Sequence, residues 1–131
     1  MVLIDGYCCE CNRVIPSDIG QYTYDKKLFW YESYTCPYCK TQVEVDNDGI
    51  PPKEIREAIL ATEGQQNLII QEMENRSIVA IKISRLALDL PLNEAIKLKK
   101  RIPGVALSGT RVEMERLRQL LLVEGLNVWL E

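Results

Sequence analysis

At 131 residues the chain is long enough for one domain or two small ones, and 16 basic against 19 acidic residues leave a formal charge of −3. That near balance supplies no global attraction to nucleic acid or to a membrane surface, and no apolar run is long enough to cross a bilayer. Histidine is absent, which removes the commonest general base and argues against an enzyme.

The opening residues, Met-Val-Leu-Ile-Asp-Gly-Tyr, lack the basic stretch and long apolar run of an export signal. Five cysteines without such a signal favour metal ligation in a reducing compartment over disulfides. The expected location is therefore cytoplasmic. Cys8-Cys9-Glu10-Cys11 forms a first knuckle and Cys36-Pro37-Tyr38-Cys39 a second, with 24 residues separating Cys11 from Cys36. Two residues between thiolates let one tight turn aim both sulfurs at a single ion, and two such turns build the tetrahedral four-sulfur shell that zinc prefers. Cys8, Cys11, Cys36 and Cys39 are the expected zinc ligands, and Cys9 is the spare. The site reads as closed and structural, because a catalytic zinc keeps one position open for water.

Between the knuckles, Tyr22-Thr23-Tyr24 and Leu28-Phe29-Trp30-Tyr31 are β-prone and flank Asp25-Lys26-Lys27, as in a hairpin. Tyr22, Tyr24, Phe29, Trp30, Tyr31 and Tyr34 read as a small core around the metal, with base stacking as the alternative use of such rings. Val43-Glu44-Val45 fits a short further strand. Residues 1–46 thus form a zinc ribbon, too small to bury a sufficient core without its metal. Asp46-Asn47-Asp48-Gly49-Ile50-Pro51-Pro52 is the clearest boundary, since Gly supplies positive φ and Pro ends pairing.

Residues 47–64 read as linker and connecting helix, the helix running from Lys53 to Thr62 with Ile55, Ile59 and Leu60 on one face. Asn67 to Met73 reads as a strand. Residues 77–88 are ambiguous: Ile78-Val79-Ala80-Ile81 is strand-like, yet Val79, Ile83, Leu86 and Leu90 fall at helical intervals. Pro91 suits the first turn of a helix to Arg101, with Ala95, Leu98 and Ile102 inward. Val105-Ala106-Leu107 is a short strand, Thr110-Arg111-Val112-Glu113 a capping box opening a helix to Glu124, and Asn127 to Leu130 a last strand. Charge follows this division. Residues 1–50 hold eight acids and four bases, and residues 65–131 hold eight acids and ten bases.

Ala80-Ile81-Lys82-Ile83-Ser84-Arg85, then Leu90, Leu92, Glu94-Ala95, Pro103 and Glu124-Gly125, occupy the frame of a known motif. On these residues the segment 65–131 resembles the C-terminal domain of the bacterial ribosomal stalk protein family, a fold shared with the adaptor of the Clp protease. The resemblance implies an α/β sandwich and makes residues 77–88 a helix. It also implies that the helix pair docks a protein partner, with Val79, Ile81, Lys82 and Arg85 as the positions carried over. Asp89 and Pro91 stand where the family has glycines, and the stalk's dimerising segment is replaced by the cysteine module. The expected fold class is α+β: a small zinc-ribbon β module followed by an α/β sandwich of the stalk C-terminal type. The expected function is non-catalytic protein binding, to a translation factor, the ribosome or a dedicated partner that it inhibits or delivers. The alternative is a ribbon that binds RNA or DNA through the aromatic hairpin and the Lys97, Lys99, Lys100, Arg101 run.

Overall fold

A computed structural model describes residues 1–131. The chain is mixed α and β, with two antiparallel sheets and four helices divided between compact units Met1–Gly64 and Gln65–Glu131. The helix expected as a connector therefore belongs to the first unit.

The first unit is a four-stranded meander, β1 (Val2–Tyr7), β2 (Val14–Tyr24), β3 (Lys27–Thr35) and β4 (Gln42–Asp48), paired in chain order, followed by α1 (Lys53–Glu63). β2 and β3 join through Asp25 and Lys26, both at positive φ (52° and 64°). Two consecutive left-handed residues form the tight turn whose twist matches that of the strands it links. β1 is not anticipated by the sequence reading, and β2 is far longer than Tyr22–Tyr24.

Alternation then sorts side chains to the two faces of the sheet. Val2, Ile4, Ile19 and Trp30 lie on one face, where Ile55, Ala58 and Ile59 of α1 pack on them. Further along that face Ile15 packs with Cys8 and Cys36. The opposite face carries Tyr22, Phe29 and Tyr31.

The second unit runs β5 (Gln66–Ile70), α2 (Glu74–Leu88), α3 (Leu92–Arg101), β6 (Gly104–Gly109), α4 (Arg111–Val123) and β7 (Val128–Leu130). This is the strand–helix–helix–strand–helix–strand order expected from the sequence. β5 lies between β6 and β7, antiparallel to both. Leu68, Ile70, Ala80, Leu98, Met114, Leu117, Leu121 and Val128 form one buried cluster, which holds the sheet and the three helices together. Thr110 and Glu113 close the capping box: Thr110 Oγ1 accepts from the Glu113 amide at 3.2 Å, and Glu113 Oε1 accepts from the Thr110 amide at 3.1 Å.

Residues 77–88 are helical. Their buried face, however, is Ala80 and Ser84, with Ile83 and Ala87 beside them, whereas Val79 is partly exposed and Leu86 is 85% exposed. Small residues bring α2 close to its neighbours. Ser84 Oγ is buried there without a hydrogen-bond partner. At the end of α2, Asp89 takes φ +50° where the stalk family has glycine, and the Leu90 amide donates to the Arg85 carbonyl at 3.0 Å. Ala95, Leu98 and Ile102 are buried as expected. No helix is long and apolar enough to cross a membrane.

Candidate metal centre and docking groove

Each knuckle begins where a strand ends. Cys8 follows β1, and Cys36 follows β3. The backbone then repeats one pattern twice. The Asn12 amide donates to the Cys8 carbonyl at 2.9 Å and the Lys40 amide to the Cys36 carbonyl at 3.0 Å; the Cys8 amide donates to Arg13 at 2.9 Å and the Cys36 amide to Thr41 at 2.8 Å. Asn12 and Lys40, each directly after a knuckle's second ligand, sit at φ +60° and +67°. That left-handed residue turns the chain back, so that both sulfurs of a knuckle point inward. Asn adopts this conformation more readily than Lys, which is the less legible of the two.

The geometry brings together all four expected ligands. Their sulfurs lie within 4.8 Å of one another, with Cys8–Cys39 at 3.5 Å and Cys11–Cys36 at 3.6 Å. Bonds of about 2.3 Å from a tetrahedral ion would set sulfurs about 3.8 Å apart. A disulfide needs about 2.05 Å. The spacing is thus that of four thiols that could hold a metal ion, not that of disulfides, and the thiols are free. Cys9 lies outside it, exposed, with its amide donating to Tyr34 Oη at 3.1 Å.

The thiols differ in acidity. The Thr41 hydroxyl, 3.1 Å from Cys39 Sγ, and the Thr41 amide lower Cys39 to about 6. The Cys39 amide lowers Cys36, assisted by that of Tyr38. Cys11 receives a lowering hydrogen bond from the Arg13 amide, but burial and its neighbours Cys36, Cys8 and Cys39 outweigh it and push the thiol up to about 11. Backbone and hydroxyl donors on the second knuckle thus favour thiolates, the form that binds metal. Arg13 lies over the Tyr38 ring at 4.4 Å, linking the two knuckles by a cation–π contact.

The aromatic residues do not form a core around the four cysteines. Only Tyr34 packs on the Cys8, Ile15 and Cys36 cluster. Trp30 joins the α1 face, Tyr22, Phe29 and Tyr31 occupy the other, and Tyr24 is exposed. Strand alternation forces this division, since Phe29 and Tyr31 cannot share a face with Trp30.

In the second unit, Ile81, Lys82 and Arg85 line a groove of about 260 Å³ with Ile78, Leu92 and Ile96. Ile78 lines it and its neighbour Val79 does not. Lys82 and Arg85 also border an adjoining hollow of about 490 Å³ that reaches Leu86, Asp89 and Leu90. Arg85 Nε donates to the Leu90 carbonyl at 3.2 Å, so part of its guanidinium braces the α2–α3 turn. Lys99 adds a third cation to the groove, while Lys97 pairs with Glu94 at 3.1 Å and Arg101 reaches the Ala106 carbonyl at 3.4 Å. The basic run is therefore not one continuous patch. Ile78 and Ile96, 48% and 53% exposed, are not among the docking positions the resemblance names; for Ile96 the available signal is an apolar residue on α3 next to Ala95, which also lines the groove.

The cysteine cluster and strand module fit a zinc ribbon. No family model, curated protein or solved structure matches the chain.

Proposed function

We propose that this is a non-catalytic, zinc-fixed interaction protein that docks a partner polypeptide in the α2–α3 groove. The observation that carries this reading is the groove itself: Ile78, Ile81, Leu92 and Ile96 give an apolar floor, and Lys82, Arg85 and Lys99 give a basic rim. Such a surface suits an amphipathic segment with acidic flanks, anchored by apolar side chains and oriented by charge. Zinc is the favoured metal because four thiolates in two tight turns match its tetrahedral preference. In this reading the ion holds the first unit together and takes no part in chemistry.

The resemblance to the stalk family supports the docking role and makes a translation factor or the ribosome the first class of partner to test. A dedicated partner, inhibited or delivered, is the second. The nucleic-acid alternative has less support, because the exposed rings of the first unit stand among carboxylates, which repel phosphate.

The test is affinity capture from cytoplasmic extract after nuclease treatment, comparing the native chain with Lys82→Glu/Arg85→Glu. The reading expects a defined protein that is lost in the double variant. Capture of the same proteins by both would refute docking through the groove. Binding abolished by nuclease and by modest salt would favour the nucleic-acid alternative.

A further inference from the structure

The four-stranded sheet has one face covered by α1 and a second face with no element of its own unit upon it. Strand register places Leu3 and Asp5 of β1, Pro16, Asp18, Gly20 and Tyr22 of β2, Phe29, Tyr31 and Ser33 of β3, and Glu44, Asp46 and Asp48 of β4 on this second face. Two features stand out. The first is an aromatic ladder: Tyr22 stacks on Phe29 at 5.3 Å between ring centroids, with planes 14° apart, and meets Tyr31 at 6.5 Å. Tyr31 lies across Gly20, where a Cβ would come within 2.5 Å of its ring. Glycine at this point lets the ring lie flat on the strand. Beside the ladder the face dips into a groove of about 660 Å³ bordered by Leu3, Pro16, Asp18, Ser33 and Glu44.

The second feature is charge. Asp5, Asp18, Glu44, Asp46 and Asp48 share the face, and its single cation, Lys27, stands at the hairpin end opposite Tyr24. Tyr22 Oη donates to Asp46 at 3.5 Å, fixing one carboxylate beside the ladder. Burial, with Asp46 at Tyr22 and Asp18 and Glu63 at Tyr31, raises both phenols above their ordinary range. The rings present π faces within a strongly negative field. Phosphates are repelled by such a surface, and a neutral apolar segment would leave its carboxylates unpaired.

We propose that this open face binds an extended, arginine-containing segment of a partner polypeptide, its guanidinium groups lying over Tyr22, Phe29 and Tyr31 and pairing with Asp18, Glu44 and Asp46. Guanidinium is the cation that stacks on rings and pairs with carboxylates at once. The four strands span about 14 Å, which an extended chain crosses in four or five residues. This site is distinct from the α2–α3 groove and opposite to it in charge, so the protein would join a basic segment to an acidic one.

The experiment is fluorescence anisotropy on the metal-loaded full chain. The probe is a labelled peptide of alternating arginine and valine, run beside its lysine-for-arginine and glutamate-for-arginine counterparts and a single-stranded oligonucleotide. The arginine peptide is expected to bind, the lysine peptide more weakly, and the glutamate peptide and oligonucleotide not at all. Asp46→Asn/Glu44→Gln should weaken arginine-peptide binding about tenfold, while Lys82→Glu/Arg85→Glu leaves it unchanged. Amide shifts on binding should map to β2, β3 and β4. The proposal is overturned if the arginine peptide fails to bind, if lysine and arginine peptides bind alike and the acidic variant retains full affinity, or if sedimentation shows a second copy of this chain occupying the face. A groove that fails its own capture test leaves these outcomes unaffected.

Discussion

Removing the metal should unfold the first unit and spare the second. The buried residues around the sulfurs are Cys8, Ile15 and Cys36 alone, and the α1 side adds Val2, Ile19, Ile55 and Ile59. The second unit, by contrast, buries eleven residues in one cluster. Structural zinc contributes about 10–16 kcal/mol to small finger peptides in apparent terms, while a whole small domain is stable by only about 5–15 kcal/mol. Withdrawing the ion therefore removes as much free energy as such a unit possesses.

The two tryptophans make this measurable, because Trp30 lies in β3 of the first unit and Trp129 in β7 of the second. Trp129→Phe leaves Trp30 to report on the first unit, and Trp30→Phe leaves Trp129 to report on the second. In denaturant titrations with a strong chelator, the Trp30 transition should vanish and the Trp129 transition should keep its midpoint. Cys36→Ser should reproduce the result without chelator. A Trp30 transition unmoved by chelation would show that the sheet and α1 stand without metal, and the reasoning would fall.

Three further outcomes can be read from the Trp129 signal. Asp89→Gly should stabilise the second unit by about 1 kcal/mol, since glycine occupies φ +50° without the Cβ penalty; a loss would mean that the aspartate side chain is needed at the turn. Ser84→Ala should stabilise it by about 1 kcal/mol by removing a buried hydroxyl with no partner, and destabilisation there would reveal a hydrogen bond to the hydroxyl. Glu115 is held below its ordinary value by hydrogen bonds from Arg118, which also raise the Arg118 guanidinium. A depressed carboxylate stabilises the fold above its unfolded pKa and loses that contribution as pH falls through the folded value. Glu115→Gln should therefore cost a small amount near neutrality, because both side chains are about one-third exposed, and nothing in strong acid; an equal cost at both pH values would assign the loss to packing.

What the sequence made legible was local. Each knuckle is specified within a few residues, so the ligand set is plain from spacing, and the exclusion of Cys9 follows the better two-residue gap. The capping box at Thr110 and Glu113 and the inward face of α3 are equally local. β1 and the first half of β2 were not, because Pro16, Ser17, Asp18 and Gly20 resemble turn residues. The structure places Pro16 where β2 pairs only with β1, before the β3 ladder begins at Asp18, so its missing amide breaks no central bond. Gly20 yields space to Tyr31. The inward face of α2 is hard to read for a related reason: Ala80 and Ser84 carry little hydrophobic signal, whereas Val79 and Leu86, larger and at helical intervals, are exposed. Face assignment of the aromatic residues required strand register, which depends on pairing with distant residues.

The measurement that bears most directly on the central claim is photo-crosslinking from single positions of the full metal-loaded chain in cytoplasmic extract. A photoreactive residue at Lys82 or at Ile96 looks into the α2–α3 groove, whereas one at Val79 lies beside it. The account predicts that the first two positions capture the same protein and that Val79 does not. Capture of one protein from Val79 but from neither groove position, or capture of nucleic acid alone, would contradict it.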